Sequence, residues 1–275
     1  MCRLAITEAK ARSCCCMCVL SAARARGANS MSAFARKPMA LTGLFFMFMA
    51  AMSVATVIPV LGSVLALMLL PGATLGLMAA TRESERGNFP MPSILLSAFR
   101  AGQQRLRAML VLGALYAVGF LLVMGVSALA DGGQFASLYL VGGKISPEML
   151  EQSAVQAAVW LALLLYLPLS ILFWHAPGLV HWHGISPVKS LFFSAVACFR
   201  NMGAFLVFGL AWTGVFVVMG LLLTTLAALT GAPGLLLVGW FPAAMLVLAM
   251  FFCSIYFTFR DCFIEDVPAP PTSTG

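Results

Sequence analysis

Between Trp174 and Asn201 the chain reads WHAPGLVHWHGISPVKSLFFSAVACFRN, a stretch that holds all three of its histidines, His175, His181 and His183. Imidazoles are the commonest metal ligands and titrate nearest to neutral pH, so these three are the first candidates for site chemistry. A zinc centre needs its ligands to converge on one point. On a continuous helix His181 and His183 would stand about 240° and about 80° around the axis from His175, so the rings would diverge. Pro177, Gly178 and Gly184 can break such a helix, but the stretch contains no Asp or Glu to complete a site or orient the rings. His175, His181 and His183 therefore stand as candidate metal ligands to which the pattern assigns no metal. The reading that fits the stretch better is an interfacial elbow of Trp174, Pro177, Trp182, His183, Pro187, Lys189 and Arg200. Its Trp and His rings are expected half within the lipid headgroups.

Other chemistry is sparse. Paired carboxylates occur only at Glu83/Glu85, Glu148/Glu151 and Asp261–Asp266, each in a loop or flank. No glycine-rich phosphate loop ending in Lys-Ser/Thr follows a strand pattern, and no Ser/His/Asp or Cys/His set is spaced for nucleophilic catalysis. Five of the eight cysteines (Cys2, Cys14, Cys15, Cys16 and Cys18) crowd into the first 18 residues, without the two-residue spacing of zinc sites. No catalytic residue and no cofactor is assigned, and the chain is not expected to be an enzyme.

What must position these residues is a membrane. The chain is 62% hydrophobic and 9% charged, with a mean hydropathy of +1.01, whereas soluble domains carry roughly 25% charged residues. A soluble fold of 275 residues lacks the interior to hide this much apolar area. The net charge of +7 arises from cations beside the apolar runs, which is the pattern of membrane orientation and not of nucleic-acid binding.

The pattern predicts an all-α polytopic helix bundle with six transmembrane spans arranged as three hairpins. The spans are expected at about 39–58, 61–80, 108–130, 153–175, 203–229 and 235–259. Residues 39–80 carry no charge, and one helix of that length would reach about 63 Å, twice the ~30 Å hydrocarbon core. Proline and glycine in IPVLG (58–62) supply the first turn, and TGAPG (230–234) the last. Short amphipathic helices are expected at the interface before spans 3 and 5. The second begins at Ser186-Pro187 and presents Val188, Leu191, Phe192, Ala195, Val196 and Phe199 as one apolar face. Gly72, Gly76 and Ala80 form a small-residue stripe that lets another helix approach closely. Ser146-Pro147-Glu148 is a helix start leading into span 4, with Pro168 a kink. Asp131 opens the longest loop on the other side.

Residues 1–30 read as an atypical Cys-rich extension, with Met31 as an alternative start, residues 31–262 as the membrane domain, and 263–275 as a disordered tail. With the N-terminus in the cytoplasm, 15 of the 16 Lys and Arg fall on the cytoplasmic side and only Lys144 lies outside. That places both termini in the cytoplasm. The segments SAFARKP, SILLSAFRAGQQRLR and SPVKSLFFSAVACFR precede spans 1, 3 and 5, and suggest a recurring unit of surface helix plus hairpin.

FWHAPGLVHWHGISPVKSLFFSAVACFRNMGAFLVFGL, taken with IPVLGSVLALMLLPGATLGLM and GNFPMPSILLSAFR, resembles an uncharacterised multi-span inner-membrane protein family of beta-proteobacteria. The resemblance covers about residues 32–262. Its motif falls at Ala176, Pro177, Leu179, Val180, Trp182, His183, Ser186, Pro187, Lys189, Phe192, Phe193 and Ser194. It implies a multi-span topology and a bacterial inner-membrane location, and no activity, substrate or catalytic residue. His175 and His181 lie outside the motif.

The expected function is thus that of a non-enzymatic integral membrane component with a structural or interaction role. Its expected partners are the lipid bilayer, a second copy of the chain or other membrane proteins, and not nucleic acid. The rival is a small-molecule transporter or channel subunit without its own energy coupling, because no Asp, Glu, Lys or Arg lies within the spans. A polar cavity lined by Ser53, Thr56, Thr213 and Thr224 would favour the rival.

Overall fold

The computed structural model describes residues 38–58, 61–142, 146–231 and 234–263. The Cys-rich extension, the cations before span 1, Lys144 and the tail from residue 264 lie outside them. The described chain is helical throughout, with no strand: α1 (Pro38–Ala55), α2 (Leu61–Glu85), a 3-10 turn (Pro92–Leu96), α3 (Ser97–Arg100), α4 (Gln103–Asp131), α5 (Gln134–Val141), α6 (Pro147–Glu151), α7 (Ser153–Phe173), α8 (Ala176–His183), α9 (Pro187–Arg200), α10 (Met202–Thr230) and α11 (Gly234–Phe263). Five helices are long and apolar enough to cross a bilayer: α2, α4, α7 continued through α8, α10 and α11. The shorter apolar helix α1 joins them. This is the all-α polytopic bundle that the hydropathy pattern dictates.

Helix α2 sits at the centre, packed against α1, α4, α8 and α11. Glycines set how closely its neighbours come. A Cβ on Gly113 of α4 would collide with the Met68 carbonyl oxygen, so α2 and α4 cross backbone to backbone at that point. The small-residue stripe admits a close helical neighbour, as its spacing suggests, and the neighbour is short. A Cβ on Gly72 would lie 3.0 Å from the Phe99 ring, and one on Gly76 would lie 2.8 Å from Leu95 Cα. Gly72 and Gly76 therefore receive the short Pro92–Arg100 segment, while Ala80 packs in a cluster with Leu41 and Phe45 of α1 and Ala249 of α11. That segment buries Ala98 completely. Gly62 closes the first hairpin, where any side chain would strike the Ala55 carbonyl oxygen.

The expected loop after Asp131 is a packed element. The buried Asp131 carboxylate accepts from Gly133 N at 2.9 Å and from Phe135 N at 2.7 Å, and so caps the start of α5. Phe135 and Leu140 of α5 then pack against Tyr116, Phe120 and Leu169 of α4 and α7, and Ser63 of α2 donates to Leu140 O. Ser146 caps as its sequence predicts, accepting from Met149 N at 3.2 Å. Its helix is a single turn, however: Gln152 is extended, with ψ 124°, and span 4 starts afresh at Ser153.

Helix α10 stands apart. Of its 29 residues only Ala204 and Ala227 are buried, and its main neighbour is α11.

Candidate functional site

The elbow is built around a spliced break in span 4. Proline at 177 has no N–H to offer the carbonyl four residues back, and its ring crowds that carbonyl, so the helix cannot run through. The interruption falls at Trp174–His175, and Pro177 opens α8 instead of closing α7. In an unbroken helix the His175 N–H would bond to the Ile171 carbonyl. The Ser194 hydroxyl of α9 stands between them, accepting from His175 N at 3.0 Å and donating to Ile171 O at 2.9 Å. One turn further along α9, the Cys198 thiol points at the same carbonyl, 3.9 Å away. A side chain inserted in the backbone ladder is a recognised cause of a sharp helix kink.

This arrangement fixes the polarity of α9. Ser190, Ser194 and Cys198 face the protein, four residues apart, while Val188, Phe192 and Phe199 are exposed on the outside. Of the apolar face expected from the sequence, Val188, Phe192 and Phe199 point away from the bundle, while Leu191 packs against its core and Ala195 and Val196 are partly buried. Ser186 holds the N-cap position in extended conformation, but its hydroxyl makes no capping bond.

The structure departs from the expected headgroup position of the elbow rings at its first residues. His175 is wholly buried, edge-on to Phe205, Phe259 and Phe263 at 5.4–5.9 Å. Neither of its ring nitrogens has a hydrogen-bond partner among the described residues. Trp174 is partly buried, with Nε1 donating to Thr258 Oγ1 at 3.1 Å and its ring edge-on to Phe205, Phe208 and Phe251. Pro177 and Gly178 are buried, and Gly178 seats the Phe259 ring, which a Cβ would approach to 2.7 Å. The break turns α8 inward, and that is why these residues leave the surface. His183, Lys189 and Arg200 are exposed, and Trp182 and Pro187 are partly so. Among the described residues, no three His, Cys, Asp or Glu side chains come together as a metal site: His181 sits against Trp182, while His175 and His183 sit against Phe259 and Phe263.

Two features were not expected from the sequence. At the elbow end, the Arg82 guanidinium lies over Trp182, 5.3 Å from the ring centre. Beside it Arg260 forms an ion pair with Glu85, a second one with Asp261 at 3.5 Å, and stacks over Phe257. These contacts tie α2, α8 and α11 together, and only the fold reveals such long-range pairing. The second feature is an apolar groove of about 400 Å³ between α7, α10 and α11. Its lining includes Trp174, Phe205, Phe208, Trp212, Phe216 and Phe251. The clustering of aromatics in FLVFGLAWTGVF (205–216) was the available signal.

Fold and elbow together define a polytopic helical membrane protein with no soluble domain among the described residues. Over 241 residues the chain is 39% identical to a probable inner membrane protein of Burkholderia thailandensis, a match spanning 86% of this chain and 89% of that protein. The chain belongs to this family of multi-pass inner-membrane proteins. No protein-family model and no solved structure matches it.

Proposed function

We propose that the protein is a non-enzymatic structural or interaction component of the inner membrane, with both termini in the cytoplasm. One observation carries the functional reading. The four hydroxyls expected from the sequence to line a polar route lie on the outside of the bundle. Ser53, Thr56, Thr213 and Thr224 are all exposed, and the three threonines donate to carbonyls of their own chain neighbours at 2.9 Å: Thr56 to Ser53, Thr213 to Gly209 and Thr224 to Gly220. A solute path needs polar groups facing inward. The orientation rests on charge. Every described Lys and Arg lies at the end where α2 and α11 finish and α4 and α10 begin, and basic residues favour the cytoplasmic side.

Lipid and metabolite profiling of a deletion strain tests the functional reading. The expected result is altered membrane composition or integrity, without accumulation of one substrate at the expense of one product. A discrete substrate–product pair that the purified protein interconverts, or a polar solute that it moves across proteoliposomes, would overturn it.

A further inference from the structure

We infer that the groove between α7, α10 and α11 is a binding site for an acyl chain of an anionic phospholipid, whose phosphate stands against Arg200. The inference deepens the interaction role proposed above by naming a ligand class.

The groove is built for an apolar guest. Its polar neighbours are satisfied internally: Ser170 donates to Leu167 O, Thr213 to Gly209 O and the Trp174 indole to Thr258. The walls are aromatic faces and edges, and no inward-facing group is left for a polar ligand. At about 400 Å³ the space falls within the roughly 300–1,000 Å³ of ligand sites. Protein does not fill it, because α10 packs loosely along this side. A Cβ on Gly209, within the lining, would meet nothing within 4 Å.

Its direction matches a lipid. The groove begins at Cys198, Phe199 and Met202, at the corner between α9 and α10, and follows α10 to Phe216. From Met202 to Phe216 the helix rises roughly 21 Å, somewhat more than one leaflet of a ~30 Å core. Arg200 stands exposed at the starting corner, flanked by the lining residues Phe199 and Met202. Among the described residues no carboxylate pairs with it, and Asp261 is engaged by Arg260. A guanidinium with no carboxylate partner among the described residues, at the mouth of an apolar groove, complements a phosphodiester joined to an acyl chain, and bidentate phosphate binding is a particular aptitude of arginine.

The test uses the full chain, purified in mild detergent and exchanged with phosphatidylglycerol or phosphatidylethanolamine of identical acyl chains, with bound lipid read by native mass spectrometry. Wild type is expected to retain one phosphatidylglycerol per chain in preference to phosphatidylethanolamine. Gly209→Leu, which fills the groove, should lower retention roughly tenfold with an unchanged unfolding midpoint. Arg200→Gln should keep acyl-chain binding but lose the headgroup preference, and Arg200→Lys should restore part of it. If Gly209→Leu fails to fold, quenching by brominated lipids of a variant retaining only Trp174 and Trp212 decides the same question: brominated phosphatidylglycerol must quench more strongly than brominated phosphatidylethanolamine. Equal retention of the two lipids by wild type overturns the inference. So does undiminished binding by a folded Gly209→Leu, or a dimer that covers the groove. None of these outcomes bears on whether the protein catalyses or transports, so this site and the broader functional reading fail separately.

Discussion

The Ser194 hydroxyl replaces a backbone hydrogen bond: it accepts from His175 N and donates to Ile171 O, the two groups that an unbroken span 4 would have joined to each other. Through this one oxygen α9 is tied to the break in α7–α8, and both buried backbone groups are satisfied.

Ser194→Ala should therefore destabilise the protein by about 1–3 kcal/mol, the range for leaving a buried polar group unpaired. Ser190→Ala is the control, since the Ser190 hydroxyl bonds only to Pro187 O within its own helix, and it should change stability much less. Chemical unfolding in detergent, followed by tryptophan fluorescence, measures both. Equal effects of the two substitutions would show that Ser194 does not splice the break.

A side chain at Gly113 cannot coexist with the α2–α4 crossing. Gly113→Ala should lower stability by roughly 1–3 kcal/mol, as overpacking does. Gly43→Ala, where a Cβ meets nothing within 4 Å, should be neutral or slightly stabilising because alanine is the better helix former. Unfolding midpoints of the two variants decide it.

The ion pair between Arg260 and Glu85 joins two spans, but its side chains retain 27% and 33% of their exposure. Solvent screening at such exposure limits its worth, so a double-mutant cycle of Glu85→Gln and Arg260→Gln should return a coupling below about 1 kcal/mol. A larger value would mean that the pair is shielded from solvent by lipid.

For the proposed orientation, alkaline phosphatase fused after Phe263 should be inactive and the same enzyme fused after Gly132 active, because it folds only outside the cytoplasm. The reverse pattern would turn the whole bundle over.

Much of the fold was legible because hydropathy and helix length are local properties. The uncharged run 39–80 had to be a hairpin, and the prolines and glycines at its middle told where. The elbow was legible as a break because Pro177 acts on its own helix. What that break does was not, since the partner of His175 lies 19 residues away and a serine in a greasy helix carries no mark of its contact. Gly72 and Gly76 announced a close approach, but spacing cannot say whether a span or a short segment arrives. Gly113 has Ala117 four positions on, but in a chain so rich in glycine and alanine that pair alone does not mark the crossing. Histidine placed beside tryptophan suggested headgroups, and only the inward turn of α8 puts His175 among phenylalanines.

The isolation of α10 has a consequence for the bilayer itself. Twenty-nine helical residues reach about 44 Å, well beyond a ~30 Å core, so the helix must tilt or protrude. Helix α4 has the same length but is locked to α2 at Met68–Gly113 and cannot adjust. With two buried residues and left-handed Gly231 at its far end, α10 can lean without disturbing that crossing. Hydrophobic mismatch with membranes of different thickness would thus fall first on α10, the least buried span, whose hold on the bundle is α11 and the rings around Phe205 and Phe208.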